Sequence, residues 1–261
     1  MKIYRHAVLP IALRVALFFP GISVNAIVAS PCGSSNTTSI SGDETTSPYN
    51  LSSGENLLVN KGVSIDAPRG QATKSDPYGL KYSAVNVGEN NNIAPKTLVD
   101  CIENNGVLQG SSGVTVTHSG SVGQLINRGT ISGVTGAIWV SGQINMLDNY
   151  GSIKSIDDSD SLNSIQIQQA IGANNNDQSG SIDTIINREK GSIDGIAVTT
   201  SILKKFDNYG ILSLGNIANS AYATFVIESG SNVGTFNNDG TVTGPNQGVL
   251  IQGGGIPRKS E

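Results

Sequence analysis

Charge is scarce in this chain. Asp, Glu, Lys and Arg make up 14% of the 261 residues, against about 25% in an average globular domain. Sixteen Lys and Arg face 20 Asp and Glu, a balance that disfavours nucleic acid and anionic membrane surfaces as partners. Histidine and cysteine are also rare. His118 is the only histidine beyond the N-terminal segment, and Cys32 and Cys101 are the only cysteines. Such a set cannot assemble a structural zinc site. No G-x-S-x-G turn, Gly-Asp-Ser-Gly stretch, P-loop or glycine-rich calcium repeat occurs, so the usual sequence marks of hydrolases, nucleotide binding and calcium-repeat domains are missing. No apolar run reaches the roughly 20 residues of a membrane-spanning helix, and no segment from 31 to 261 sustains a helical period.

Glycine is abundant, with 32 residues, and Ser, Thr and Asn fill the space left by charge. Apolar residues stay at 37%, too many for disorder in a chain too rich in Gly and Asn for helices. Short β-branched runs between turn residues make the chain all-β.

The first 26 residues differ in kind. Lys2, Arg5 and His6 precede the mostly apolar run Ala7 to Phe19, and Val24-Asn25-Ala26 supplies small residues before a cut. This is the form of a secretory signal peptide, with cleavage expected after Ala26. Its removal leaves 13 cationic against 20 anionic residues, a charge of −7. In an oxidising compartment Cys32 and Cys101 either close a bridge or remain two thiols, because sequence separation does not fix their distance.

The main signal is a repeat. Ile102-x-Asn104-x-Gly106-x-Leu108 returns as Leu125-x-Asn127-x-Gly129-x-Ile131 and Leu147-x-Asn149-x-Gly151-x-Ile153. It returns again as Phe206-x-Asn208-x-Gly210-x-Leu212 and Phe236-x-Asn238-x-Gly240-x-Val242. Degenerate copies hold Asn60 with Gly62, and Asn187 followed by Arg-Glu-Lys before Gly191. A second apolar position precedes each anchor by three residues, and a third apolar run follows each Gly-rich turn. Each unit thus supplies three short strands in roughly 22 residues, and such units bury their apolar faces only by stacking. About seven stacked units would span roughly 30 Å. Strand alternation turns Asn60, Asn104, Asn127, Asn149, Asn187, Asn208 and Asn238 inward at a corner, where amides can pair from unit to unit. Gly62, Gly106, Gly129, Gly151, Gly191, Gly210 and Gly240 would then allow a positive φ or a close backbone approach.

The units SGSVGQLINRGTISG (119–133) and SGSIDTIINREKGSIDG (179–195) resemble those of bacterial autotransporter passenger domains. The resemblance covers about residues 55–255 and the signal peptide. It implies a right-handed parallel β-helix exported through the inner membrane and displayed at the outer membrane or released. Residues 27–54 would form an N-terminal cap and 256–261 a tail. No run of amphipathic strands for a translocator barrel follows, so either the gene is truncated or another component handles secretion. The mature chain is then expected in the periplasm, or at the cell surface if a translocator is supplied.

No constellation marks a catalytic site, and no metal or cofactor is expected. The densest acidic group, Asp157, Asp158 and Asp160, is the best candidate for acid–base or calcium chemistry on a polysaccharide. Its Ser- and Asn-rich flanks read as a solvated loop. The residue after each Asn forms an outward column in which Arg128, Tyr150, Arg188 and Tyr209 alternate. That strip is either a solubilising ladder or a surface for a glycan or host protein. The expected role is a structural or adhesive module without enzymatic activity. The alternative is a polysaccharide lyase or glycoside hydrolase.

Overall fold

The computed structural model describes residues 32–33, 36–43, 48–70, 79–89, 95–156, 163–169, 179–214, 223–244 and 247–252. The signal segment, the Asp157, Asp158 and Asp160 group and the tail at 256–261 lie outside the described residues. Three parallel sheets carry the fold. The first stacks eight strands: Thr37–Ile40, Asn56–Val59, Thr97–Asn104, Gly120–Asn127, Gln143–Asn149, Ser181–Asn187, Ile202–Asn208 and Asn232–Asn238. The second stacks seven, from Ser64–Asp66 through Thr130–Gly133 to Thr241–Thr243. The third stacks eight, from Tyr49–Leu51 through Ile138–Val140 to Gln247–Ile251. From Asn56 onward the chain visits first, second and third sheets in that order and returns to the first one rung further on. The single described helix is one 3₁₀ turn, Leu80–Tyr82.

The core follows from alternation. In the second sheet Ile65, Leu108, Ile131, Ile153, Ile193 and Leu212 form one fully buried column. In the third, Val114, Ile138, Ile165, Ile196 and Phe225 form another. The first sheet contributes two columns, through Val99, Val122 and Ile144 and through Ile102, Leu125 and Leu147. Their spacing of three breaks strict alternation. The ladder passes over Asp100, Gly123, Asn145, Asp183, Lys204 and Gly234, so each strand bends there and leaves two successive residues outside the core. Towards the last strands the filling turns aromatic. Phe206 stacks on Phe236 at 5.1 Å, and Phe225 meets both rings edge-on.

The first repeat sits one residue away from where the motif places it. Leu57 and Val59 are the buried positions and pair with Ile102 and Asn104. Asn60 is therefore not a ladder member; its amide donates to the Ser39 hydroxyl at 2.9 Å. Four residues, Asn60 to Val63, turn the corner where most later rungs use two.

Candidate functional site

The corner between the first and second sheets holds the longest set of polar contacts described. Asn104 Nδ2 donates to Asn127 Oδ1 at 2.9 Å, Asn127 to Asn149 at 2.8 Å and Asn149 to Asn187 at 2.8 Å. Asn187 then donates to Asn208 at 2.8 Å and Asn208 to Asn238 at 2.7 Å. The second N–H of each donor reaches a backbone carbonyl of the next rung, such as Thr130 O for Asn104 and Ser152 O for Asn127. Asn104 through Asn208 are fully buried and every amide oxygen among them accepts, so no desolvated group is left over. The glycines beside them serve close approach. A Cβ on Gly129 would run into the Gly106 carbonyl oxygen, and one on Gly151 into that of Gly129. Gly210 and Gly240 repeat this contact with the glycine one rung back. Gly106 meets the Val63 carbonyl instead, and Gly191 packs on the Asn149 and Asn187 amides. Only Gly62 has the left-handed backbone, at φ +81° with open space around it.

Outside this ladder lies a column that the repeat does not advertise. Glu103, Ile126, Asp148, Ile186 and Asp207, each preceding a ladder Asn, follow one another in register on the outer face of the first sheet. The three acids are 4%, 6% and 5% exposed, and each has a cation. Arg128 Nε donates to Glu103 at 3.2 Å, one rung back. Arg188 clamps Asp148 with two bonds of 2.6 and 3.0 Å, also one rung back. Lys205 pairs with Asp207 in its own strand at 2.6 Å. The hydrogen bond to Asp148 holds the Arg188 guanidinium above its usual range, with burial opposing. Burial pushes the Asp207 carboxyl up, but hydrogen bonds from Lys205 and Asn237 and the charges of Lys205 and Arg188 bring it below its usual range.

The strip residues fall into two groups. Arg128 and Arg188, from the rungs before and after, lie over the Tyr150 ring at 4.4 and 5.3 Å. Tyr209 is 43% exposed. Between the two tyrosines, the corner of the Asn187 rung has four residues, Arg188 to Gly191, instead of two. The ladder runs on undisturbed beneath it, since Ser192 N still donates to Gly151 O at 2.9 Å and Ile211 N to Gly191 O at 2.9 Å. The extra residues are therefore pushed outward. Tyr150, Arg188, Glu189, Lys190 and Tyr209 line a depression of about 470 Å³ there.

A second depression, about 310 Å³, lies at the corner between the third and first sheets and includes Lys96, His118, Ser121, Ser141 and Gln143. Corner hydroxyls on this side hold successive rungs together: Ser201 donates to Ile167 O at 2.6 Å and Ser231 to Val198 O at 2.7 Å. Among the described residues no group of three His, Cys, Asp or Glu side chains is placed to hold a metal ion. Cys32 and Cys101 form a disulfide, with Cα atoms 5.3 Å apart, and pack with Ile126 on the outer face of the first sheet. The buried acids were missed by motif reading. Their signal is an acid directly before a ladder Asn, answered twice by Arg directly after the next one. Comparison with family models, curated proteins and solved structures finds no match to the chain.

Proposed function

We propose that the chain is an exported, non-enzymatic module of the autotransporter-passenger type, structural and adhesive in role. The coil is read as right-handed with about seven rungs, because strand–crossover–strand units between parallel strands take that hand almost without exception. One observation carries the functional reading. The polar columns link rung to rung, in the amide ladder from Asn104 to Asn238 and in the pairs Glu103–Arg128 and Asp148–Arg188. Such columns favour a stiff rod that presents its corners, rather than a cleft that gathers acid and base around a bond. The Cys32–Cys101 disulfide supports an oxidising compartment.

Microspheres coated with purified chain test the adhesive role. They are expected to adhere to glycan- or protein-coated surfaces, while the same protein leaves a panel of pectin-like and neutral polysaccharides intact. New reducing ends or unsaturated uronates would instead favour the lyase or hydrolase reading. Failure to adhere to any surface would remove the adhesive role.

A further inference from the structure

We infer that the depression beside the widened corner binds a neutral oligosaccharide, with one pyranose ring stacked on Tyr209; this rests on the adhesive reading above and supplies its ligand class. Three observations converge. First, the widening is local. Asn127-Arg128-Gly129 and Asn149-Tyr150-Gly151 turn the same corner with two residues, whereas Asn187 is followed by Arg188, Glu189, Lys190 and Gly191. The insertion leaves the amide ladder intact on both sides, with Asn149–Asn187 and Asn187–Asn208 bonds of 2.8 Å each. Tyrosines occupy the rung before and the rung after it, two rungs or about 9–10 Å apart. That span accommodates two linked pyranose rings.

Second, the site is preorganised. Arg188 is fixed by its two bonds to Asp148 and by its position over Tyr150. A guanidinium has five N–H donors; among the described residues two are engaged, both by Asp148, which leaves three for hydroxyl oxygens. Binding then requires little side-chain ordering. Tyr150 has its ring faced by Arg128 and Arg188, so it forms a wall rather than a platform. Tyr209, half-exposed, is the free platform. The C–H face of a pyranose packs on such an electron-rich ring.

Third, the charges balance. Arg188 is matched by Asp148 and Lys190 by its neighbour Glu189. The lining itself carries Arg188, Glu189 and Lys190, and the buried Asp148 behind Arg188 brings the sum to zero, which suits hydroxyl groups better than carboxylates or sulfates.

Isothermal titration of the full chain with cellopentaose, maltopentaose and the pentamer of N-acetylglucosamine tests this, with pentagalacturonate as the charged counterpart. At least one neutral pentamer should bind at one site per chain. Tyr209→Ala should weaken it about tenfold or more. Deleting Glu189 and Lys190, which leaves the Asn-Arg-Gly corner already present at 127–129, should abolish binding with the thermal midpoint unchanged. Binding confined to pentagalacturonate and lost with added salt would overturn the inference. So would binding that neither variant affects, or no neutral pentamer bound. If none binds while coated microspheres still adhere, this inference falls and the adhesive reading stands. A neutral pentamer that binds and is cleaved keeps the site and overturns the non-enzymatic reading.

Discussion

Asn127 shows how a single residue type sets this architecture. It accepts from Asn104, donates to Asn149 and donates again to Ser152 O. Asn127→Leu would leave the Asn104 amide and the Asn149 carbonyl buried with a partner missing, at about 1–3 kcal/mol each. The side chain of Asn105, at the corner one rung earlier, has among the described residues only a long 3.4 Å contact to Glu103, and Asn105→Leu should cost under about 1 kcal/mol. Urea melts of the two variants check this ordering; equal midpoints would contradict it. Asp207 carries the pH dependence at the same scale. Its folded pKa is held below the unfolded value of about 3.9. The stability it contributes is therefore present above that value and lost as pH falls through the lower folded one. Asp207→Asn should flatten the acid limb of a stability–pH curve below about pH 4. An acid limb identical to that of the parent chain would contradict the assignment.

At the scale of the strand and its corner, the stacked glycines limit what the sequence can vary. Gly129→Ala sets a Cβ against the Gly106 carbonyl oxygen, a backbone atom that cannot swing away. A loss of about 2 kcal/mol or more is expected. Gly62→Ala meets nothing and strains only its φ of +81°, for about 1 kcal/mol. Thermal melts should rank the pair in that order. The same corners explain what the sequence could reveal. Copies from Ile102 onward were legible because inward Asn and unsubstitutable Gly recur at fixed offsets. The first copy misleads because Leu58-x-Asn60-x-Gly62 imitates the motif while Leu57 and Val59 face the core. The buried acids were illegible for another reason. Their partners stand one rung away, 25 residues along for Glu103 and Arg128 and 40 for Asp148 and Arg188, a distance that only the register of the coil makes short.

Across the whole molecule, the described rungs form one continuous core, from Ile40 to Val233. The disulfide fastens the outer face of the first sheet near the N-terminal strands. At the other end Val249 and Ile251 pair in register with buried Phe225 and Ile227 yet are exposed. The amide ladder spans most of this length, continuous from Asn104 to Asn238 and buried as far as Asn208. Hydrogen exchange of the asparagine side-chain amides, followed by NMR with Nδ2 resonances assigned, tests it most directly. Asn104, Asn127, Asn149 and Asn187 should exchange only with global unfolding, while Asn105 and the exposed Nδ2 group of Asn238 exchange rapidly. Rapid exchange at Asn127 or Asn149 would contradict an inward, mutually bonded column.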